Sequence, residues 1–415
     1  MIQYITPDVI LNNLSNLPQL VFEVTDACNL KCKYCAYGEF YNDFDQRENK
    51  KLSVEQAKRL LQYLSQYWNS NRNQSAMGIM YISFYGGEPL LNFEFIKEIV
   101  EYVEQKMICK HRTFAFSMTT NAMLLNKYMD FLVKHKFHIL ISLDGDKSQN
   151  SYRVNHKGQS SFERIQHNIN ELREKYPDFF EKNVGFNSVL HNRNSVEGIY
   201  TFFRTKYDKL PNISELNGSG IRPDRIDEFR KTYTNSMESL HQSEHYDKIE
   251  KDLFMGVSSY KSLALYLHQY SGNYYRDYID LLTKRMTYNH IPTGTCSPFS
   301  KKMFVTVNGK ILPCERIGHQ FALGQLTDDS ITLDPKAISD KYNHYLNKMN
   351  NQCSKCKNKQ SCIQCIFNLE DIEGKTICNG FMNEKMMELY KQKQLEFLRN
   401  HPEAYREIMD KITTI

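Results

Sequence analysis

From residue 20 to about 217, short apolar and β-branched runs alternate with stretches whose apolar residues recur at helical spacing, the pattern of βα units around a parallel sheet. The runs Leu20 to Thr25, Ile79 to Tyr85, Thr113 to Met118, His138 to Leu143, Val184 to Leu190 and Ile213 to Leu216 are expected as six strands. Ser53-x-x-Gln56 reads as a capping box before a helix whose stripe runs through Val54, Ala57, Leu60, Leu61, Leu64 and Trp68. Ser160-x-x-Glu163 predicts a second helix start, with Phe162, Ile165, Ile169 and Leu172 inward, and Asn92 precedes a third helix carrying Phe95, Ile96, Ile99 and Val103. Six strands with intervening helices fit an α/β fold, a partial (β/α)6 TIM-like barrel, in which ligands gather at the carboxyl ends of the strands. Between Arg222 and Pro292 the pattern turns helical and aromatic, with Tyr260, Tyr266, Tyr270, Tyr274 and Tyr275, and is read as a helical bridge.

Composition narrows the class. The 415 residues carry 53 Lys and Arg against 48 Asp and Glu, and a net of +5 announces neither nucleic acid nor an anionic membrane as partner. No apolar run reaches the length of a membrane span and Met1 to Gln19 lacks the pattern of a signal peptide, so a soluble, cytoplasmic protein is expected. In that setting eleven cysteines point to metal binding or catalysis rather than disulfides. Only Cys109 falls outside a cluster-like spacing, and it reads as a packed or surface thiol.

The first group, Cys28, Cys32 and Cys35, follows the first strand as C-x3-C-x2-C. A cubane iron-sulfur cluster asks for four ligands, so three thiolates leave one iron open for a ligand that is not protein. Structural zinc takes four ligands, and no further cysteine or histidine lies near this loop. CNLKCKYC, with Tyr34 before its last cysteine, resembles the cluster loop of the radical S-adenosylmethionine (radical SAM) enzymes. The resemblance implies that the open iron is chelated by S-adenosylmethionine, whose reductive cleavage gives a 5'-deoxyadenosyl radical that takes hydrogen from the substrate. It also implies the barrel and a set of cofactor contacts. Gly86-Gly87-Glu88-Pro89 is similar to the family's GGE motif, with Glu88 accepting from the methionine ammonium. Asn121 after the third strand and Ser142, opening Ser142-Leu143-Asp144-Gly145 after the fourth, match segments that line the cofactor pocket, and Arg153 matches an arginine that pairs with the cofactor carboxylate. Ala122 stands where the family more often has glycine, and Leu190, ending the fifth strand, reads equally as a residue packing on the adenine or as part of the core.

A second cysteine region begins at Cys296 and continues through Cys314 and Cys353-x2-Cys356-x5-Cys362-x2-Cys365 to Cys378. Seven cysteines suit two clusters, and a double zinc site is the competing reading. The region resembles the SPASM extension, which holds two auxiliary clusters in radical SAM enzymes acting on peptides and proteins. That resemblance implies three [4Fe-4S] clusters in all, one catalytic and two auxiliary. Cys353, Cys356, Cys362 and Cys378 would complete one auxiliary cluster, leaving Cys296, Cys314 and Cys365 as three ligands for the other. His290, a water or a substrate thiolate would complete the latter. The expected organisation is a barrel over 1–220, a bridge over 221–295, an auxiliary-cluster domain over 296–380 and a helical segment over 381–415.

Together the motifs imply a peptide maturase that installs a thioether or carbon-carbon link in a ribosomal precursor peptide, with an electron donor such as flavodoxin or ferredoxin. An anaerobic sulfatase maturase forming formylglycine from Cys or Ser is the rival enzyme reading. A non-enzymatic iron-sulfur electron carrier is the alternative of another class. The residues announce no catalytic acid or base.

Overall fold

The computed structural model describes residues 5–74, 78–109, 112–253, 263–267, 274–275, 293–369, 372–374, 376–409 and 413–414. The strands β1 (Gln19–Thr25), β2 (Ile79–Gly86), β3 (Thr113–Thr120), β4 (His138–Ser142), β5 (Val184–Leu190) and β6 (Asn212–Glu215) pair in parallel in sequence order. Each lies within two residues of its expected span. The helices α1 (Pro7–Ser15), α2 (Val54–Trp68), α3 (Phe93–Lys106), α4 (Leu125–Lys134), α5 (Phe162–Lys175), α6 (Pro177–Asn183) and α7 (Val196–Tyr207) complete a partial (β/α)6 barrel. Alternation along β5 shows how the layers form: Val184, Phe186, Ser188 and Leu190 are buried toward the helices, whereas Gly185, Asn187 and Val189 face the barrel interior and stay partly open.

Two helix starts differ from expectation. Ser53 caps α2 through its Oγ, which accepts from Gln56 N at 3.4 Å. At α5 the cap shifts to Ser161, which makes no side-chain cap bond, because its hydroxyl donates instead to the Arg153 carbonyl at 2.6 Å. The Asn92 side chain likewise leaves α3 uncapped and donates to the Val24 carbonyl at 2.8 Å, joining the helix start to β1.

The larger difference is at the sheet edge. Met303–Val305 pairs in parallel with β1, and the short strands Lys310–Leu312, Gly324–Leu326 and Ile331–Thr332 follow in antiparallel, giving a ten-stranded sheet. Runs this short carry no periodicity to read. Gly309 holds φ +74°, and a Cβ there would lie 1.9 Å from the Leu326 carbonyl, so the hairpin depends on glycine. One apolar core then runs from Ile10 and Leu14 of α1 through the barrel to Leu346, Met349 and Ile366. Each fully buried aliphatic side chain in it contributes about 1.5–3 kcal/mol.

The bridge contains the helices Ile226–Thr232, Ser236–His241 and Tyr246–Leu253. Tyr266 is buried; Tyr260, Tyr270 and His290 lie outside the described residues, as do the side chains of Tyr274 and Tyr275. Cys109 is half-buried after α3, its Sγ directed at the Trp68 carbonyl at 3.8 Å. No described helix is long and apolar enough to cross a membrane.

The N-terminal segment meets the long helix Pro335–Lys355 at Asn343. Its side-chain oxygen accepts from Ile5 N at 2.9 Å and its amide donates to Ile5 O at 2.7 Å. Asn343→Leu strands both buried backbone groups and should cost about 1–3 kcal/mol. Hydrogen exchange should accelerate at the Ile5 amide and the urea midpoint should fall, whereas unchanged protection there would show that α1 is held by apolar packing alone.

Candidate active site

The loop carrying Cys28, Cys32 and Cys35 leaves the carboxyl end of β1 without a helix of its own, and its neighbours hold it. Lys31 N donates to Val154 O at 2.7 Å, His156 Nε2 lies 2.8 Å from Cys28 O, and Arg222 N donates to Phe40 O at 2.8 Å. The end of β2 docks most closely, with Gly87 N donating to Thr25 O and Glu88 N to Ala27 O, both at 2.8 Å. A Cβ on Gly86 would lie 2.2 Å from Thr25 O and one on Gly87 2.1 Å from Ala27 O. These glycines let β2 approach the cysteine loop.

Glu88 is fully buried and turned into the protein. One carboxylate oxygen accepts from Thr120 Oγ1 at 2.7 Å and Leu90 N at 3.1 Å, the other from Asn121 N at 2.8 Å. Burial lifts its pKa to about 7 against those three donors. Asn121, so placed, donates to Asn29 Oδ1 at 2.7 Å and lies 3.8 Å from Cys28 Sγ. Ala122 after it takes φ +59°, which accounts for glycine being common there in the family the motif resembles.

Asp144 is the hub of the opposite wall. Arg153 Nη2 donates to it at 2.9 Å, the Tyr34 hydroxyl donates to its other oxygen, and His191 Nε2 lies 3.7 Å away. Burial alone would raise this carboxyl, but Arg153, His191 and Tyr34 hold it at about 2. Tyr34 stacks on His191 with ring centroids 5.5 Å apart, beneath the Arg153 guanidinium. Arg153 thus already has a protein partner, and its buried Nε has none. Ser142 ends β4 on the interior face, and Leu190 turns the other way: fully buried in the helix-facing core, it offers no surface to a ligand. Val189 takes the interior position instead, packed near Cys32 and Tyr34.

Several neighbours escaped sequence reasoning. Arg47 Nη2 donates to Cys35 Sγ at 3.3 Å and lies over the Tyr37 ring at 4.4 Å. Glu23 on β1 is buried, accepts from Val307 N at 2.9 Å and is lifted to about 7 by that burial. Both sit on or beside the cysteine loop, yet a lone Arg or Glu there has no distinguishing pattern.

Cys353 is within electrostatic reach of Cys356, Cys362 and Cys378, while Cys296, Cys314 and Cys365 each act on the buried Tyr342 phenol. Among the described residues no three such groups converge tightly enough to hold a single ion. Burial pushes the Cys28 and Cys365 thiols up to about 11 and Cys32, Cys314 and Cys353 to about 12, so these sulfurs need a cationic centre to become thiolates. Soft, partly buried sulfur donors of this kind suit iron-sulfur clusters.

Comparison with known proteins agrees with this chemistry. Residues 22–204 match the Radical SAM superfamily, and residues 296–366 match SPASM, an iron-sulfur cluster-binding domain. The chain is 25% identical over 366 residues to the cysteine-type anaerobic sulfatase-maturating enzyme of Clostridium perfringens, covering 86% of this chain and 91% of that protein. It is 26% identical over 220 residues to the mycofactocin maturase MftC of Mycolicibacterium smegmatis, covering 51% and 48%. The structure of native anSMEcpe with bound AdoMet and Cp18Cys peptide superposes with TM-score 0.59 at 18% identity, covering 95% of this chain and 99% of that one, and shows the shared fold. The electron-carrier alternative is thereby set aside: the chain is a radical SAM enzyme with a SPASM iron-sulfur cluster-binding domain, homologous to the anaerobic sulfatase-maturating enzymes.

Proposed function

We propose that this enzyme modifies a ribosomally made precursor peptide, closing a thioether or carbon-carbon link within it. The observation that supports this most is the division of the auxiliary cysteines into four and three. Cys314, from the group of three, adjoins Glu315 and Arg316, which line the barrel cavity. In this reading the set of three thiols, through Cys314, adjoins in sequence the lining of the space a peptide cysteine would enter.

In this reading three [4Fe-4S] clusters are held: Cys28, Cys32 and Cys35 carry the catalytic one and the two C-terminal groups carry the others. S-adenosylmethionine, when bound, supplies a radical that removes hydrogen from the substrate. The chain's own part is to orient and enclose. The Gly86-Gly87 turn offers carbonyls to an ammonium, Asn121 and Ser142 offer polar groups at strand ends, and the unpartnered Arg153 Nε–H is left for a carboxylate. Glu88 acts as a positioning residue, because its carboxylate fixes the Asn121 backbone. Tyr34 closes the wall through Asp144. An electron donor such as flavodoxin or ferredoxin completes the system.

Sulfatase maturation is the second reading, favoured by similarity over 86% of the chain to an enzyme of that name. Anaerobic turnover of peptides encoded beside the gene separates the two. Cross-linking should remove two hydrogens, retain the sulfur and leave no new carbonyl. A product that reacts with hydrazide as an aldehyde would overturn the cross-linking reading.

Reconstituted protein should hold about twelve irons. Joint replacement of Cys28, Cys32 and Cys35 by alanine should remove about a third of them and all reductive cleavage of S-adenosylmethionine; persistent cleavage would refute the loop's assignment. Glu88→Gln gives up one acceptor and should displace Asn121 at a cost of about 1–3 kcal/mol. Calorimetry should then show weaker S-adenosylmethionine binding at unchanged iron content, and equal affinity would mean that this end of β2 places nothing the cofactor uses.

A further inference from the structure

The barrel interior holds a cavity of about 550 Å³. Its exposed lining lies at the amino ends of the strands, opposite the cysteine loop: His138 begins β4 and Lys182 precedes β5, while Arg316 comes from the C-terminal domain. The mouth is therefore formed jointly by the two domains.

The charges around it do not balance. Lys302 Nζ lies 3.1 Å from Glu315 Oε1, and that pair is neutral as a unit. Lys182 and Arg316 are exposed and make no side-chain ion pair among the described residues. Glu181, the nearest carboxylate in sequence to Lys182, faces Lys209 at 3.8 Å. Glu315, which Arg316 also helps to hold ionised, is the one carboxylate in the lining against Lys182, Lys302 and Arg316, so the mouth carries an excess of positive charge.

The floor adds a second, independent observation. Gln19 Nε2 donates to Ser83 Oγ at 2.8 Å, and Ser83 Oγ meets Ser117 Oγ at 2.6 Å. This row crosses β1, β2 and β3. Whichever serine donates to the other, one hydroxyl hydrogen is left over for an acceptor in the cavity. Cations at the mouth and a spare donor on the floor favour the same occupant.

We infer that this cavity selects a substrate peptide bearing acidic side chains, with Lys182 and Arg316 as the specificity-determining cations. The inference rests on the reading of this chain as a peptide-modifying enzyme. It deepens that reading by naming the charge of the peptide. A lysine-flanked segment would meet like charge and be rejected.

Three labelled peptides of equal length test it, each with a central cysteine flanked by glutamates, glutamines or lysines. Binding to the reconstituted full-length protein is read by fluorescence anisotropy at low and moderate salt. The glutamate peptide should bind about ten-fold tighter than the glutamine peptide, and the lysine peptide most weakly. Salt should shrink the differences. Lys182→Glu should narrow the order and Lys182→Glu with Arg316→Glu should invert it, with iron content confirming that each variant is folded. Equal affinities, or an order unchanged in the folded double variant, would overturn the charge selection alone. If none of the three peptides binds while S-adenosylmethionine is still cleaved reductively, the peptide reading falls and the inference with it.

Discussion

A loop that carries three half-buried thiols and no helix must take its shape from what it touches, and here the decisive contact is the close approach of β2 to the end of β1. Gly86 and Gly87 lie where no Cβ fits, and two backbone bonds of 2.8 Å tie them to Thr25 and Ala27. The Glu88 carboxylate then reaches Thr120 and Asn121, so one acidic side chain sets the end of β3 against the ends of β1 and β2. A charged carboxylate would be costly at such burial; three donors make it tolerable, and its pKa near 7 records the residual cost. Both Gly-Gly and Glu are needed for one purpose, since the glycines permit the approach and the carboxylate fixes its register.

The second wall uses the opposite electrostatic solution. Asp144 is as buried as Glu88, yet Arg153, Tyr34 and His191 hold it ionised, with a pKa of about 2. An ion pair so enclosed gains little net stability, because both charges are stripped of water. What it does provide is a fixed orientation for Tyr34, whose neighbours in sequence, Lys33 and Cys35, belong to the thiol loop. The loop is thus held from β2 by a carboxyl poised near neutrality and from β4 by a permanent ion pair.

Much of this was legible in the sequence. Period-two and period-3.6 patterns located six strands and the stripe of α2, because these elements bury one face and little else competes. Leu190 shows a limit of such reasoning: the strand was right, but the end of a strand leaves the face open, and of adenine packing and core the structure shows the core. Ser161 shows another limit, since its hydroxyl serves the Arg153 carbonyl rather than its own helix, a choice only tertiary structure can make. The edge strand Met303–Val305 had too few residues to carry a period, and Arg47 is a single cation in an irregular loop. The cysteine groups were legible for a different reason: their chemistry requires particular spacings, which burial does not blur.

The sheet extension has a functional consequence that neither domain carries alone. By pairing with β1, Met303–Val305 brings the following hairpin against the barrel, and Glu23 of β1 secures it by accepting from Val307 N. The chain leaves that hairpin directly into Cys314, Glu315 and Arg316. A sulfur of the three-cysteine group and two residues that line the cavity are therefore consecutive, and no hinge lies between them. Under the proposed reading, a group drawn into the cavity by charge is brought toward Cys314 by the same stretch of backbone. Parallel pairing at one sheet edge thus fixes the distance between the cavity lining and Cys314, while the cysteine loop lies at the other end of the same strand. With β1 as the shared member, both features are tied to one seven-residue strand, and its burial on nearly every position is the structural counterpart of that double duty.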